Sequence, residues 1–260
     1  TIQKPTDING MDGRFEPATR AFEAVTGQGQ FGLAFDDWGR RFVCTNRNHV
    51  IPIGIPNEYF ARNPFLAAPP PVTEKTGGPI SAIHPISRFK TLMASHAGFF
   101  TSACGVHLYR GSRLPASYAG HAFTCEPAAN LIHEEALTPG GATFTWKPPR
   151  GGVEFLASAD TWFRPVSMAE GPDGALYVAD MYRKEVEHPR WVPADLMHRY
   201  DWKATREMGR IWRIVPEGPR PGIARPRLAE TSTMDLVPLL DRPDAWWRMT
   251  AQRIIVQRQD

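Results

Sequence analysis

Along most of the chain, apolar and β-favouring residues alternate with polar ones in short runs separated by Gly-, Pro- and Asp-rich breaks. That period-2 pattern predicts many short strands rather than long helices. The clearest instance is WFRPVSMAEGPDGALYVADMYR, from Trp162 to Arg183. Arg164-Pro165 leads into a strand over 166–169, and Gly171-Pro172-Asp173-Gly174 is a tight turn. Proline fixes φ at its second position and glycine tolerates a positive φ at its last. A second strand follows over 175–179, with β-favouring Tyr177 and Val178. A hairpin returns to the end where it began. Trp162, Arg164, Asp180, Tyr182 and Arg183 are therefore expected at one rim, opposite the turn.

The unit recurs in degenerate form. FGLAFDDWGRRFVCT (31–45) and CGVHLYRGSRLPASYAGHAFTCE (104–126) carry the same strand–turn–strand order. Aligning the turn glycines Gly39, Gly120 and Gly174 places Phe42, Phe123 and Tyr177 at plus three. It places Cys44, Cys125 and Ala179 at plus five, and Thr45, Glu126 and Asp180 at plus six. The intervals are irregular but accommodate propeller blades of roughly 40–50 residues with insertions. Three unrelated hairpins in a β-rich domain are the alternative.

The remaining chain fits a sheet domain with excursions. Short strands are expected at 14–17 and 20–25, around a Pro-Ala-Thr turn, and the Pro-rich stretch 52–80 is an irregular loop. β structure is expected to resume at 83–89. After the Ala/Asn/His/Glu stretch that follows residue 127, outer strands are expected at 142–146 and 153–157, and a last strand at 209–216. Residues 217–232 are a Pro-rich linker. Ser232 can cap a helix starting at Thr233, and Asp244 a second one carrying Trp246, Trp247, Met249, Ala251, Ile254 and Ile255 at helical spacing. The domain expectation is a sheet domain over 1–216, the linker, and a helix pair over 233–260. That pair is either the start of a solenoid or a two-helix cap on the sheets.

Composition narrows the partners. Of 260 residues, 42% are hydrophobic and 22% charged, enough for a sizeable core, and 25 Pro with 22 Gly suit strands and turns. A net charge of +3, with both signs scattered, gives no case for nucleic acid. No apolar run is long enough for a transmembrane segment. The chain starts at Thr1 and reads as a fragment, so the lack of a signal peptide says nothing of compartment. Cys44, Cys104 and Cys125 form no C-x-x-C or C-x-x-C-H. Cys104 and Cys125 are either a disulfide or buried thiols.

If the repeats share a channel, the loops at one end gather Asn46, Arg47 and His49; Ser102, Glu126 and Asn130; and Arg164, Asp180, Tyr182 and Arg183. Such a face suits a polar ligand, and Arg pairs with carboxylates in bidentate fashion. Each residue also has a structural role open to it. Asp180 can accept backbone N–H groups at a strand end, Arg183 can pair with Glu185 or Glu187, and Asn46 can close a turn. His49 and His96 lie in loops and are candidate bases, while His107 and His121 lie on or beside strands. His133-Glu134-Glu135 lacks the second His of a zincin motif. No metal site is assigned, and a Ca²⁺ at the Asp180 loop stays open as an alternative. There is no G-x-S-x-G, P-loop or dinucleotide fingerprint.

Three runs are specific beyond generic β structure: FGLAFDDWGRRFVCTNRNHV, MASHAGFFTSACGVHLYRG and FLASADTWFRPVSMAEGPDGALYVADMYRKEVEHPRW. With GRIWRIVP and LVPLLDRPDAWWRMTAQRIIVQR, they resemble the "membrane-bound dehydrogenase" proteins of planctomycetes over roughly residues 8–260. Those proteins join a glucose/sorbosone dehydrogenase-like β-propeller to HEAT repeats and a c-type haem domain. The resemblance implies a mainly β fold, a partial β-propeller of about three to four blades followed by a HEAT-like solenoid. It implies an exported, periplasmic or otherwise extracytoplasmic protein that oxidises a sugar or other alcohol and passes electrons to its own haem domain, absent here. A pyrroloquinoline-quinone (PQQ) cofactor with calcium would be held by Arg47, Arg164, Asp180 and Arg183. His96, or else His49, would be the catalytic base. Asn46, Glu126, Asn130, Trp162 and Tyr182 would contact substrate. The competing expectation is a non-catalytic propeller that binds a carbohydrate or protein, with the solenoid as a docking arm. A purely structural scaffold would instead have Arg164, Asp180 and Arg183 engage one another.

Overall fold

The computed structural model describes residues 6–63, 65, 81–87, 98–186, 190, 192, 194–198, 201, 206–219 and 225–259. Thirteen strands dominate them. A hairpin of β1 (Asp12–Glu16) and β2 (Ala21–Val25) comes first. Three antiparallel meanders follow in chain order. The first is β3 (Leu33–Phe35), β4 (Arg41–Val43) and β5 (Ile51–Pro52), which precede the one-turn helix α1 (Asn57–Phe60). The second holds β6 (Cys104–Leu108), β7 (Ala122–Glu126) and β8 (Leu131–Gly140), with β9 (Thr143–Lys147) and β10 (Leu156–Ala157) paired to β8. The third is β11 (Pro165–Glu170), β12 (Leu176–Asp180) and β13 (Arg210–Ile214). A short helix, α2 (Ala194–Met197), lies between β12 and β13.

The repeat alignment corresponds to real geometry. Gly39, Gly120 and Gly174 have φ values of 76°, 76° and 70°, the left-handed region that glycine enters without a Cβ penalty. Three residues on, Phe42 and Phe123 are both fully buried. The turn 171–174 closes through Gly174 N–H donating to Gly171 O at 2.9 Å.

The first strands of the three meanders converge. Gly105 N–H donates to Phe31 O at 2.8 Å, and a Cβ on Gly105 would lie 2.5 Å from Val166 O. A Cβ on Gly32 would lie 2.8 Å from the main-chain N of Val106. Backbones at the ends and centres of β3, β6 and β11 thus pack where no side chain fits. Outside this line the sheet faces bury separate apolar layers. Phe42, Cys44, Val106, Leu108 and Phe144 fill the space between the first two meanders. Phe123, Cys125, Ile132, Met168, Leu176 and Val178 fill that between the second and third. Cys104 and Cys125 are opposite one another across β6 and β7, and all three cysteines are thiols. Burial pushes the Cys44 thiol up to about 11 and, with Glu126 nearby, that of Cys104 to about 12.

Three expectations need correction. Within the described part of 83–89 there is no strand; Ala82 and Phe99 make an isolated bridge. The Ala/Asn/His/Glu stretch after residue 127 contains β8, a ten-residue strand hidden from the sequence because its His133, Glu134 and Glu135 are buried polar residues paired with other side chains. Asp244 occupies the cap position of α4 (Ala245–Arg258) but makes no capping bond. Its carboxylate instead accepts Ser112 N–H at 2.6 Å.

Helix α3 (Thr233–Leu236) begins as expected, with Ser232 Oγ accepting Asp235 N–H at 3.2 Å, and runs on as a 3₁₀ turn to Asp241. Leu228, Leu236 and Ala251 are buried between this segment and α4. The pair docks on the turn end of the second and third meanders. Ala245 N–H donates to Arg110 O at 3.1 Å, and Trp247 Nε1–H to Pro172 O at 2.7 Å. Asp37 accepts hydrogen bonds from both Arg110 and Arg248 at 2.8–2.9 Å. The terminal helices pack together and dock on the sheets as one unit. No helix among the described residues is long and apolar enough to cross a membrane.

Candidate functional site

The predicted rim forms as a hydrogen-bonded girdle across the strand ends, opposite the docked helices. Asn46 O accepts Ala103 N–H at 3.0 Å, linking the first meander to the second. Ser102 Oγ–H donates to Glu126 Oε1 at 2.5 Å, and Oε2 accepts the N–H groups of Thr101 and Ser102 at 3.2 and 3.0 Å. Asn130 adopts φ 59°, and its Nδ2 donates to Thr161 O at 3.1 Å and Phe163 O at 2.7 Å. The Arg164 guanidinium donates to Pro127 O at 2.7 Å, Lys184 O at 2.6 Å and Arg183 O at 3.0 Å. Asp180 Oδ1 accepts Arg164 N–H and Tyr182 N–H, both at 2.8 Å, and Oδ2 accepts Trp212 Nε1–H at 2.9 Å.

These bonds give several of the residues a structural role. Glu126, Asn130, Arg164 and Asp180 are all buried, at 3% exposure or less. Their polar groups satisfy main chain that a loop end would otherwise leave unpaired. Burial pushes the Glu126 carboxyl up to about 7 despite the bonds from Ser102 and Thr101. Burial likewise pulls the Arg164 guanidinium down. At the outer edge, Trp162 and Tyr182 pack with ring centroids 5.8 Å apart, and the Arg210 guanidinium lies 3.5 Å from the Tyr182 centroid. Arg183 is half-buried, and its carbonyl joins the girdle.

A second cluster lies between the first two meanders. His49, in the turn after β4, reaches β8. Its Nε2 is 2.8 Å from Glu135 Oε1, and His133 Nε2 is 3.1 Å from the same oxygen. His133 Nδ1 is 2.6 Å from Glu154 Oε2, and Glu154 Oε1 accepts His84 N–H at 2.7 Å. Phe100 stacks on His49, with centroids 4.4 Å apart and planes at 10°. Exposure is 1% for His49 and Glu135 and 3% for His133, so solvent does not reach the imidazoles. Burial lowers the His49 pKa. For His133 burial also lowers, but hydrogen bonds to Glu135 and Glu154 outweigh it and raise the pKa to about 9. For Glu135 burial raises, and the two imidazole hydrogen bonds prevail, lowering it. Sequence reasoning named His49 but set His133 and Glu135 aside. The i, i+2 spacing on a strand, which puts both on one face, was the available signal. Glu134, on the opposite face, bonds His121 at 2.7 Å.

One opening adjoins the girdle at Asn46, and a second lies at the other end. A polar cleft of about 710 Å³ is lined by Asn9, Gln28, Gln30, Asn46, Arg47 and Asn48 with neighbouring glycines and Thr45. Asn46 and Arg47 are exposed in it. The turn beneath is closed by Thr45 and Asn48, not by Asn46. A cavity of about 830 Å³ lies at the other end, between Asp37, Arg40, Phe42, Leu108, Arg110 and Arg248, remote from the girdle. His96 lies outside the described residues. The structure therefore joins Glu126, Asn130, Arg164 and Asp180 in one girdle, places Arg47 and the Asn46 side chain in the cleft, and holds His49 in the buried cluster.

No curated protein matches the chain. Among solved structures, a crystal structure of glucose dehydrogenase is similar at a TM-score of 0.31 and 13% identity, over 66% of this chain and 70% of that one. Residues 1–218 match the family described as "Domain of unknown function (DUF7133)", and the chain belongs to that family.

Proposed function

We propose that this chain is the propeller-type sheet portion of a sugar- or alcohol-handling oxidoreductase, and that its contribution is a polar face that binds a sugar or polysaccharide. Meanders succeeding one another in chain order, with their first strands converging, are how propeller blades are arranged. The observation that carries the ligand class is the cleft. Asn9, Gln28, Gln30, Asn46 and Arg47 line it with amides and one guanidinium. Amides donate and accept at once, as a polyhydroxylated ligand requires.

The quinone that the family resemblance implies fits this piece poorly. Arg164 and Asp180, two of the four residues assigned to it, are buried and engaged by main chain and Trp212. They do not form an open cradle for carboxylates. His49, covered by Phe100 and bonded to Glu135, is not placed to take a substrate proton. The reading that remains is recognition by this face, with any oxidation and electron transfer to a haem domain carried by parts of an exported protein outside the described residues.

The test is calorimetry on the full-length protein with neutral mono- and oligosaccharides, beside an Asn46→Ala/Arg47→Ala variant. Saccharide binding lost in the variant supports the reading. A parallel titration of PQQ with Ca²⁺ separates the classes: uptake with sugar-dependent dye reduction restores the quinoprotein assignment, and sugar binding alone leaves a binding module. No saccharide binding by the wild type overturns the proposal.

A further inference from the structure

We infer that His49, His133 and Glu135 form a binding site for one divalent first-row transition-metal ion, of the Zn²⁺ type, that fastens the first meander to the second. The inference is independent of the saccharide cleft. One nitrogen from each imidazole and one carboxylate oxygen lie within 4.8 Å of one another, all in buried side chains. The two separations to Glu135 Oε1, 2.8 and 3.1 Å, are hydrogen-bond distances, and tetrahedral donors at bond lengths of about 2.1 Å stand roughly 3.4 Å apart, so a shift of a few tenths of an ångström admits one ion. Two imidazoles and a carboxylate are a donor set that selects Zn²⁺ and related ions over Ca²⁺ or Mg²⁺.

The hydrogen-bond pattern without an ion is lopsided. Glu135 Oε1 faces both Nε2 atoms, whereas Glu135 Oε2 and His49 Nδ1 are buried with no partner. Such orphaned polar atoms are costly, and each calls for an explanation. An ion at the shared oxygen accounts for the carboxylate: it takes the Nε2 lone pairs and gives Glu135 Oε2 a charge to face, while His49 Nδ1 carries the imidazole proton. Glu154 completes the pattern. Its Oε2 is 2.6 Å from His133 Nδ1, so a proton there leaves Nε2 with the lone pair for the metal. That is the carboxylate–histidine–metal arrangement that orients ligating imidazoles. Glu154 is itself fixed by His84 N–H. Charge also balances, since a divalent ion offsets the two carboxylates Glu135 and Glu154.

The placement assigns the ion a fastening role. His49 comes from the turn between β4 and β5, and its carbonyl accepts Thr124 Oγ1–H at 2.8 Å from β7. His133 and Glu135 share one face of β8. Three ligands at 3% exposure or less leave no path for a substrate.

The experiment uses the full chain, purified and stripped with chelator, then titrated with Zn²⁺ and, separately, with Co²⁺. One equivalent bound, ligand-field absorption from Co²⁺, and two imidazoles counted by X-ray absorption at the zinc edge are expected. Glu154→Gln, which leaves every ligand in place, should weaken Zn²⁺ binding by roughly 10–100-fold. Failure to take up an equivalent of either ion overturns the inference. So does a bound zinc whose spectrum shows fewer than two imidazoles, a readout on the wild type that does not depend on any variant folding.

Discussion

Asp180 Oδ1 accepts the main-chain N–H of Arg164 at 2.8 Å, and the Arg164 guanidinium reaches on to carbonyls at Pro127 and Lys184. The two residues form a clasp that ties β11, β12 and the end of the second meander together. Both are buried, so neither charge is solvated and each relies on fixed partners. The polar residues that make this rim look like a binding face in sequence are the ones that close it in space.

Asp180→Ala should therefore act on stability. It orphans Arg164 N–H, Tyr182 N–H and Trp212 Nε1–H, for a loss of roughly 2–4 kcal/mol. Urea denaturation should show a lower midpoint with an unchanged slope. A midpoint equal to wild type would mean that water replaces the carboxylate and that the clasp is dispensable.

Gly105 and Gly39 offer a matched pair. Both have positive φ, 60° and 76°, but a Cβ at Gly105 meets Val166 O whereas one at Gly39 meets nothing within 4 Å. Gly39→Ala should cost only the left-handed strain, about 1–2 kcal/mol. Gly105→Ala adds a backbone clash between β6 and β11 and should cost several kcal/mol in all. Equal melting temperatures for the two variants would rule out the close approach of these strands.

The sequence was most legible where turn chemistry and alternation agreed. Gly171-Pro172-Asp173-Gly174 and its flanking strands lie within a residue of their expected positions, because the turn needs a glycine and the strands carry alternate apolar residues. The hairpin of β1 and β2 was legible for the same reason. β8 was not, because burial of His133, Glu134 and Glu135 requires partners from loops far along the chain: His49, His121 and Glu154. Those pairings are set by tertiary contact and leave no periodic trace. The same distance effect disguised Asp244, whose partner Ser112 is on another element.

Glu126 makes stability depend on pH. Its carboxyl is raised from 4.5 to about 7 in the folded protein by burial. The folded state therefore holds a proton that the unfolded state releases between those values, and stability falls as pH rises from about 4.5 to 7. Above pH 7 the full cost, on the order of 3 kcal/mol, is present. Glu126→Gln keeps an acceptor for Ser102 and cannot ionise. Its denaturation midpoint should lose this fall between pH 5 and 7, and exceed wild type at pH 8. A variant with the wild-type pH profile would assign the dependence to another group.

Asp244 tests whether the terminal helices stand alone or depend on the sheets. Its carboxylate accepts Ser112 N–H at 2.6 Å, and α4 otherwise meets the sheet end through Ala245 N–H, Trp247 Nε1–H and the Asp37–Arg248 pair. Its side chain makes no bond to the first turn of α4, so removing it subtracts little from the helix itself. Asp244→Ala instead leaves Ser112 N–H without an acceptor and loosens one of several docking points, a loss of about 1–3 kcal/mol. If α4 depends on docking, amide exchange in 245–258 should accelerate by roughly tenfold or more in this variant while β7 and β12 keep their protection. If the helix pair were stable alone, exchange in α4 would match wild type. The half-exposed Trp246 and Trp247 make the first outcome the expected one, since α3 and α4 bury too little apolar surface between themselves to hold without the sheets.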